Sequence, residues 1–331
     1  MQNPYLHMDP FLAPVEAENM LRVAESFGSF GTYAEEATSE GLGETLPQRF
    51  DVALQYLAHG LDGCGNQDAP DTAASRTNYF RETYIYGDEV KVDGVEPFIS
   101  HPQMSKAARN ISGCDEVVPA ILYANLLVPG QELAIHTDVP EFRGINRKNA
   151  PQWLLVCMLH SGLFEGWRIP ILTCVSWYGT AEGGAFTFYP QGAQGSRAAI
   201  PAKHNSAIII DTDRVFHGVE RVSHNRPEVP MIGPGTRLHF LGEDDWELRS
   251  GAEVLGRYRW SQVRYSVSWK AYCFADMDAR KAWETHSDDL TVEQVLDVFR
   301  SDLRGRGLLQ AEPASPDLFA QLMVETYVHF P

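Results

Sequence analysis

The stretch VPGQELAIHTD, residues 128–138, sets an apolar run directly against His136, Thr137 and Asp138. Read as a strand, its two-residue alternation puts His136 and Asp138 on one face and turns Thr137 to the other. A histidine and a carboxylate on one face can hold one side of a metal ion, and a third ligand must then come from another strand. Two imidazoles and one carboxylate leave coordination positions open, which suits ferrous iron that must also bind a co-substrate and dioxygen. His217, in IIIDTDRVFHGVERV, is the candidate third ligand. It follows a strongly apolar run and a short polar turn, and precedes another short strand-like run.

Around this pair the texture is that of a β protein. From Asn78 to Phe274, short runs rich in β-branched and aromatic residues recur between Gly, Pro, Asn and Asp: AILYANLLV, ILTCVSWY, GAFTFYP, SAIIID, RLHFL and VRYSVSWKAY. Many short strands separated by turn residues imply a sandwich or barrel. WLLVCMLHSGLFEGW (153–167) interrupts them as a helix or apolar loop, and GEDDWELRSGAEVLGRYRW reads as an added hairpin.

The ends read as helical. APVEAENMLRVAESF (13–27) and PQRFDVALQYLAHGL (47–61) place apolar residues at helical spacing, and DGCGNQDAPDTAAS (62–75) has loop chemistry. In the tail, Thr291 and Gln294 form a capping box with Gly305 as the stop, and Ser315-Pro316 opens a last helix. The expected organisation is one domain: a helical decoration over 1–77, a β core with insertions over 78–274, and a helical extension over 275–331.

Composition narrows the function. A formal charge of −17 argues against a generic nucleic-acid binder and against anionic membrane surfaces. The five cysteines are scattered and form no C-x-x-C, so neither a disulfide framework nor a zinc finger is indicated. The first twenty residues carry neither a basic n-region nor a long apolar h-region, and no apolar run approaches the ~20 residues needed to span a bilayer. The expectation is a soluble, cytoplasmic protein; oligomeric state is not legible.

The ordered landmarks VPGQELAIHTD, GGAFTFYP, IPAKHNSAIIIDTD and HGVERV resemble those of the Fe(II)- and 2-oxoglutarate-dependent oxygenases, prolyl-hydroxylase-like, over roughly residues 118–274. The resemblance implies a mainly β fold with flanking helices, its core a double-stranded β-helix, the cupin-like jelly roll. It implies Fe(II) held by His136, Asp138 and His217, with 2-oxoglutarate and O2 as co-substrates. The reaction it implies is oxidation of a substrate, most simply hydroxylation, with release of succinate and CO2. Halogenases that resemble this site replace the carboxylate by a small residue, so Asp138 speaks against halogenation.

The co-substrate's distal carboxylate needs a cation, which in the family is an arginine on a strand after the distal histidine, often as R-x-S. VRYSVSW offers Arg264 and Ser266; GTRLHF offers Arg237, nearer to His217 but without the serine. Arg264 is the preferred reading, although the interval from His217 is longer than the family usually shows. Tyr123 and Asn125 alternate on LYANLL and either bond the co-substrate or fill the barrel.

Arg143 and Arg147, in EFRGINRKN, either clamp an anionic substrate or are solvated loop arginines. Trp153, Trp167 and Trp177 either line a pocket or pack the core. His160, His204, His224 and His239 read as structural. A small-molecule substrate is the first expectation. A protein or peptide side-chain hydroxylase of the same fold and a non-catalytic jelly-roll binding protein are the alternatives.

Overall fold

Eight strands of the computed structural model are divided between two sheets in an order that defines the double-stranded β-helix. It describes residues 4–34, 57, 67–223, 228–311, 313 and 315–329. In chain order the eight are Glu116–Leu127, Leu133–His136, Ile171–Tyr178, Phe186–Phe188, Ala198–Ile200, Ser206–Ile210, His217–Val219 and Arg264–Phe274. The first, third, sixth and eighth lie side by side in the larger sheet, sixth–third–eighth–first. The other four form the smaller sheet, fifth–fourth–seventh–second. Every pairing within these two sets is antiparallel.

The larger sheet is covered on both faces, which explains why its strands read as unbroken apolar runs. Its outer face is packed by the helices Pro14–Phe27 and Pro102–Ser112. The last core strand shows the consequence most clearly. Tyr265, Val267, Trp269, Ala271 and Cys273 join the apolar core beneath those helices. The alternate residues Arg264, Ser266, Ser268, Lys270 and Tyr272 line the barrel interior. Its neighbour Glu116–Leu127 divides in the same way: Leu122, Ala124 and Leu126 are core, while Tyr123, Asn125 and Leu127 face inward. One face supplies the hydrophobic stabilisation, at ~1.5–3 kcal/mol per fully buried large side chain, and the other is free to be polar.

The larger sheet also runs well past the barrel. Phe80–Tyr86 pairs with Glu116–Leu127, followed by Ser29–Thr32, Thr236–Gly242 and the hairpin Asp245–Ser250/Glu253–Arg259. The added hairpin anticipated between His217 and Arg264 is therefore present. At the opposite edge Tyr5–Met8 pairs with Ser206–Ile210. The described residues among the first 77 thus contribute two strands as well as helix, a departure from the helical decoration expected. Four-residue strands carry too few alternations to register as a period.

A second departure is that the helix Pro70–Thr77 begins within the segment 62–75 read as loop. Its polar composition hides Ala73 and Ala74, which pack on Ala134 of the strand that ends at His136. The helical reading of 47–61 lies outside the described residues, apart from Leu57. The helix Gln152–Ser161 accounts for the apolar 153–167 run, and it packs with Val292–Gly305 and Pro316–Tyr327 in a separate cluster beside the barrel. Thr291 and Gln294 bond reciprocally as a capping box, and the Ser315 hydroxyl accepts from the Leu318 amide. Among the described residues no helix is long and apolar enough to cross a membrane.

Candidate metal centre and adjoining pockets

His136 ends its strand and His217 begins the strand paired with it, and the register sets the two residues directly opposite each other. Their ring centroids are 4.4 Å apart. That approach depends on Gly218, since a Cβ there would lie 2.6 Å from the Leu133 carbonyl oxygen. Each ring is oriented by its own strand. His136 Nδ1–H donates to the Ala134 carbonyl at 2.8 Å, and His217 Nδ1–H to the Val215 carbonyl at 2.9 Å. Both bonds commit the proton to Nδ1 and leave Nε2 with its lone pair, the state a metal ligand needs.

Asp138 faces both Nε2 atoms with Oδ1, at 3.8 Å from His136 and 4.0 Å from His217. Its amide donates to the Thr212 carbonyl at 2.9 Å, which anchors it to the segment leading into His217. The three ligand atoms lie within 4.8 Å of one another. Burial lowers the proton affinity of His217, keeping it neutral. Burial opposes ionisation of Asp138, but Lys270, with the two histidines, overrides it and holds the carboxyl far below its usual range. A carboxylate and two imidazoles whose Nε2 atoms face it fit a divalent metal ion.

Lys270 donates from Nζ to Asp138 Oδ2 at 2.6 Å. Burial disfavours its charge, yet Asp138 raises its pKa above the ordinary lysine value. The salt bridge occupies one carboxylate oxygen and leaves Oδ1 for the histidine side. Lys270 is a site residue that the sequence motifs do not single out. Continuing the alternation Arg264, Ser266, Ser268 along RYSVSWKAY by one more step would have found it.

A narrow cavity of ≈ 60 Å³ runs inward from the three ligands, between Tyr123, Asn125 and Thr212, to Arg264 and Ser266. Arg264 is 2 % exposed. Its Nε donates to the Gly184 carbonyl at 2.6 Å and its Nη1 to Ser266 Oγ at 3.2 Å, while Nη2 has no partner. Desolvation lowers its pKa to about 9. A buried guanidinium with no counter-charge is expensive, and a donor left open at the end of a slot fits a ligand carboxylate. Gly184, at φ +64°, makes the approach possible, because a Cβ there would sit 2.4 Å from Arg264 Cδ. This is a role for the second glycine of GGAFTFYP that spacing did not reveal. Asn125 Nδ2 donates to Ser268 Oγ at 3.3 Å, and Asn125 Oδ1 is buried without a partner.

Other candidates sit elsewhere. Arg237 lies in the sheet extension, bonded to Ser29 and to Glu82 at 2.9 Å. Arg143 forms a two-pronged pair with Asp288, at 2.8 Å to each oxygen, and also donates to the Gly166 carbonyl. The guanidinium ties the loop to the C-terminal segment and lines neither cavity. Arg147 does line the larger cavity. Trp177 is buried in the barrel packing, and Trp153 and Trp167 pack in the cluster of C-terminal helices. His160 packs against Phe216, His204 Nδ1 accepts from the Gly179 amide, and His239 lies in the sheet extension. His224 lies outside the described residues.

Asp213, close behind the triad, is fully buried, with no hydrogen-bond partner for either oxygen and Arg168 Nη2 at 3.7 Å. Burial first, and Asp211 second, raise its carboxyl well above the usual range. The folded chain therefore keeps a proton that the unfolded chain releases, so this group's contribution to stability falls as pH rises from ~4. Asp213→Asn is expected to be more stable than the parent at neutral pH by at least ~1 kcal/mol, a tenfold change in proton affinity being worth ~1.4 kcal/mol. The gain should vanish below ~pH 4. Urea unfolding across this range checks it, and a difference independent of pH would mean that the carboxyl is not held protonated.

No family model matches the sequence, and no curated protein matches it either. Among solved structures, a Pseudomonas putida prolyl-4-hydroxylase aligns at TM-score 0.40 and 10% identity, over 82% of this chain and 93% of its own. A non-heme alpha ketoglutarate dependent carbocyclase, SnoK from nogalamycin biosynthesis, aligns at 0.42 and 11%, over 88% and 91%. The viral collagen prolyl hydroxylase of Paramecium Bursaria Chlorella virus-1, in its 2OG complex, aligns at 0.38 and 11%, over 82% and 96%. The strand order and the His136–Asp138–His217 cluster are this chain's own evidence for the double-stranded β-helix and for a site able to hold a metal.

Proposed function

We propose that this chain is an Fe(II)- and 2-oxoglutarate-dependent oxygenase acting on a small molecule, most simply as a hydroxylase. The observation that carries the reading is one slot with two complementary ends. Three metal-ligating side chains stand at one end, and a buried guanidinium with an open donor stands at the other. His136, Asp138 and His217 would hold the iron. Arg264 and Ser266 would take the distal carboxylate of 2-oxoglutarate, with Tyr123 and Asn125 lining its length. Bound iron supplies the dioxygen chemistry that decarboxylates 2-oxoglutarate to succinate and CO2 while a substrate C–H bond is oxidised.

The protein's part is to place and to exclude. Lys270 fixes the plane of Asp138, the two strand carbonyls fix the imidazoles, and Thr212 braces Asp138 from behind. On the outer side of His136 and Asp138 a second cavity of ≈ 540 Å³ opens towards solvent. That volume falls within the ~300–1,000 Å³ of small-molecule sites, which supports a small molecule over a peptide side chain.

Protein loaded anaerobically with Fe(II) and 2-oxoglutarate and then exposed to oxygen is expected to release succinate without added substrate. In His136→Ala that release should fall at least about hundredfold, since removing a ligand dismantles the metal site. Failure of the parent to bind Fe(II), together with no spectral change on adding 2-oxoglutarate, would sink the reading and favour a non-catalytic binding protein.

A further inference from the structure

The outer cavity has a charge that runs against the rest of the molecule. The chain carries a formal −17, yet Arg81, Arg147, Lys148 and Lys270 all line this opening. The acids that share it are engaged. Asp138 is taken by Lys270, and Glu284 pairs with Arg280 at 2.9 Å. Both oxygens of Glu141 accept from the Tyr272 hydroxyl at 3.3 Å. Glu141 lies near enough to act on Arg147 and Lys148 electrostatically, but neither cation has a carboxylate within ion-pair distance among the described residues. The nearest polar partner of Arg147 is the Tyr33 hydroxyl, at 3.5 Å.

The wall beside these cations is flat and aromatic. Tyr33 stacks on Tyr79, with centroids 5.4 Å apart and planes at 30°. The Arg81 guanidinium lies 3.8 Å from the Tyr123 ring centroid and 5.2 Å from that of Tyr33. Aromatic faces and stacked guanidinium planes accept a planar apolar body, and unpaired Arg and Lys at a half-exposed rim accept an acid group.

We propose that the outer cavity binds a small molecule joining a planar ring system to a carboxylate, the ring against Tyr33, Tyr79 and Tyr123 and the carboxylate on Arg147 and Lys148. It rests on the oxygenase reading only in calling that molecule the substrate, since the ring would lie beside His136 and the acid at the rim. Lys270 is not part of the grip, because Asp138 neutralises it. The recognition is two-point: the ring sets depth, and the acid sets which edge of the ring faces the metal ligands.

The test compares a matched pair of probes, 2-naphthoate and 2-naphthamide, titrated into the full chain by calorimetry with 2-oxoglutarate and Zn(II) at saturating concentration. The carboxylate is expected to bind at least about tenfold more tightly than the amide, as for charge-assisted hydrogen bonds. Raising the salt concentration should weaken the carboxylate and leave the amide unchanged. In Arg147→Gln/Lys148→Gln the carboxylate should drop to the level of the amide, with amide binding unaltered. In Arg264→Met the preference should persist, because that arginine belongs to the inner slot. Equal binding of the two probes, no binding of the carboxylate, or a preference that disappears with Arg264→Met would each overturn the proposal. Succinate release measured on the same preparation separates the two readings. An intact carboxylate preference without 2-oxoglutarate turnover would fault the oxygenase reading alone, and turnover without the preference would fault this one alone.

Discussion

Arg264→Met is expected to weaken 2-oxoglutarate binding at least about hundredfold, while the ligand-free protein unfolds no more easily than its parent. The two halves have one cause. Arg264 is buried, its Nη2 has no partner, and no acid pairs with it among the described residues. In the empty protein its charge is a cost rather than a support. Methionine of similar length removes the charge and fills the space, and exchanging buried ionic groups for apolar ones of matching volume is often neutral or stabilising. The loss of the Gly184 and Ser266 bonds offsets part of the gain. In the complex the same guanidinium meets a carboxylate, and truncating such a pair costs ~2–5 kcal/mol of affinity. Calorimetric titration and urea unfolding read the two effects separately. Arg237→Met provides the contrast: its bonds to Glu82 and Ser29 are structural, so 2-oxoglutarate affinity should not move. A loss of stability in Arg264→Met that parallels its loss of binding would mean that the arginine is a structural strut.

The second large effect is expected at Lys270. Lys270→Met removes the partner of Asp138 and leaves that carboxylate without its ammonium counter-charge. Breaking a fully buried pair costs ~3–5 kcal/mol. Here the side chains keep 15% and 23% exposure, so a loss on the order of 2 kcal/mol in the metal-free protein is expected. A divalent ion supplies the missing positive charge, and saturating Zn(II) should restore part of the lost stability through linkage. Thermal unfolding of parent and variant with and without metal checks this. A deficit unchanged by metal would show that Lys270 supports packing and not the carboxylate.

Several features of this site were legible because they depend on local periodicity. His136 and Asp138 share a face because a strand alternates every two residues, and that rule needs no knowledge of the rest of the chain. Arg264 and Ser266 follow the same logic on VRYSVSWKAY, as Lys270 would have done had the count been continued. His217 was found from its context, an apolar strand, a polar turn and a new strand. What alternation could not supply was the partner of each charge. Arg143 and Arg147 sit in the same loop, four residues apart, and look equivalent as text. One is bound to Asp288, far along the chain, and the other faces an open cavity. Arg237 and Arg264 also both follow His217 on strands, and only the sheet order separates them: Thr236–Gly242 is carried away beyond Ser29–Thr32, while Arg264–Phe274 lies at the centre of the barrel.

The sequence by itself determined the strand-rich core, the capped C-terminal helices and the face shared by His136 and Asp138, because these follow from side-chain period and local hydrogen-bonding chemistry. Only the tertiary structure decided that His217 stands across from His136, that Lys270 closes on Asp138, and that Arg264 keeps an open donor at the far end of the slot. These are contacts between strands distant in the chain, set by sheet register and by which charges find partners on folding, and no local pattern carries that information.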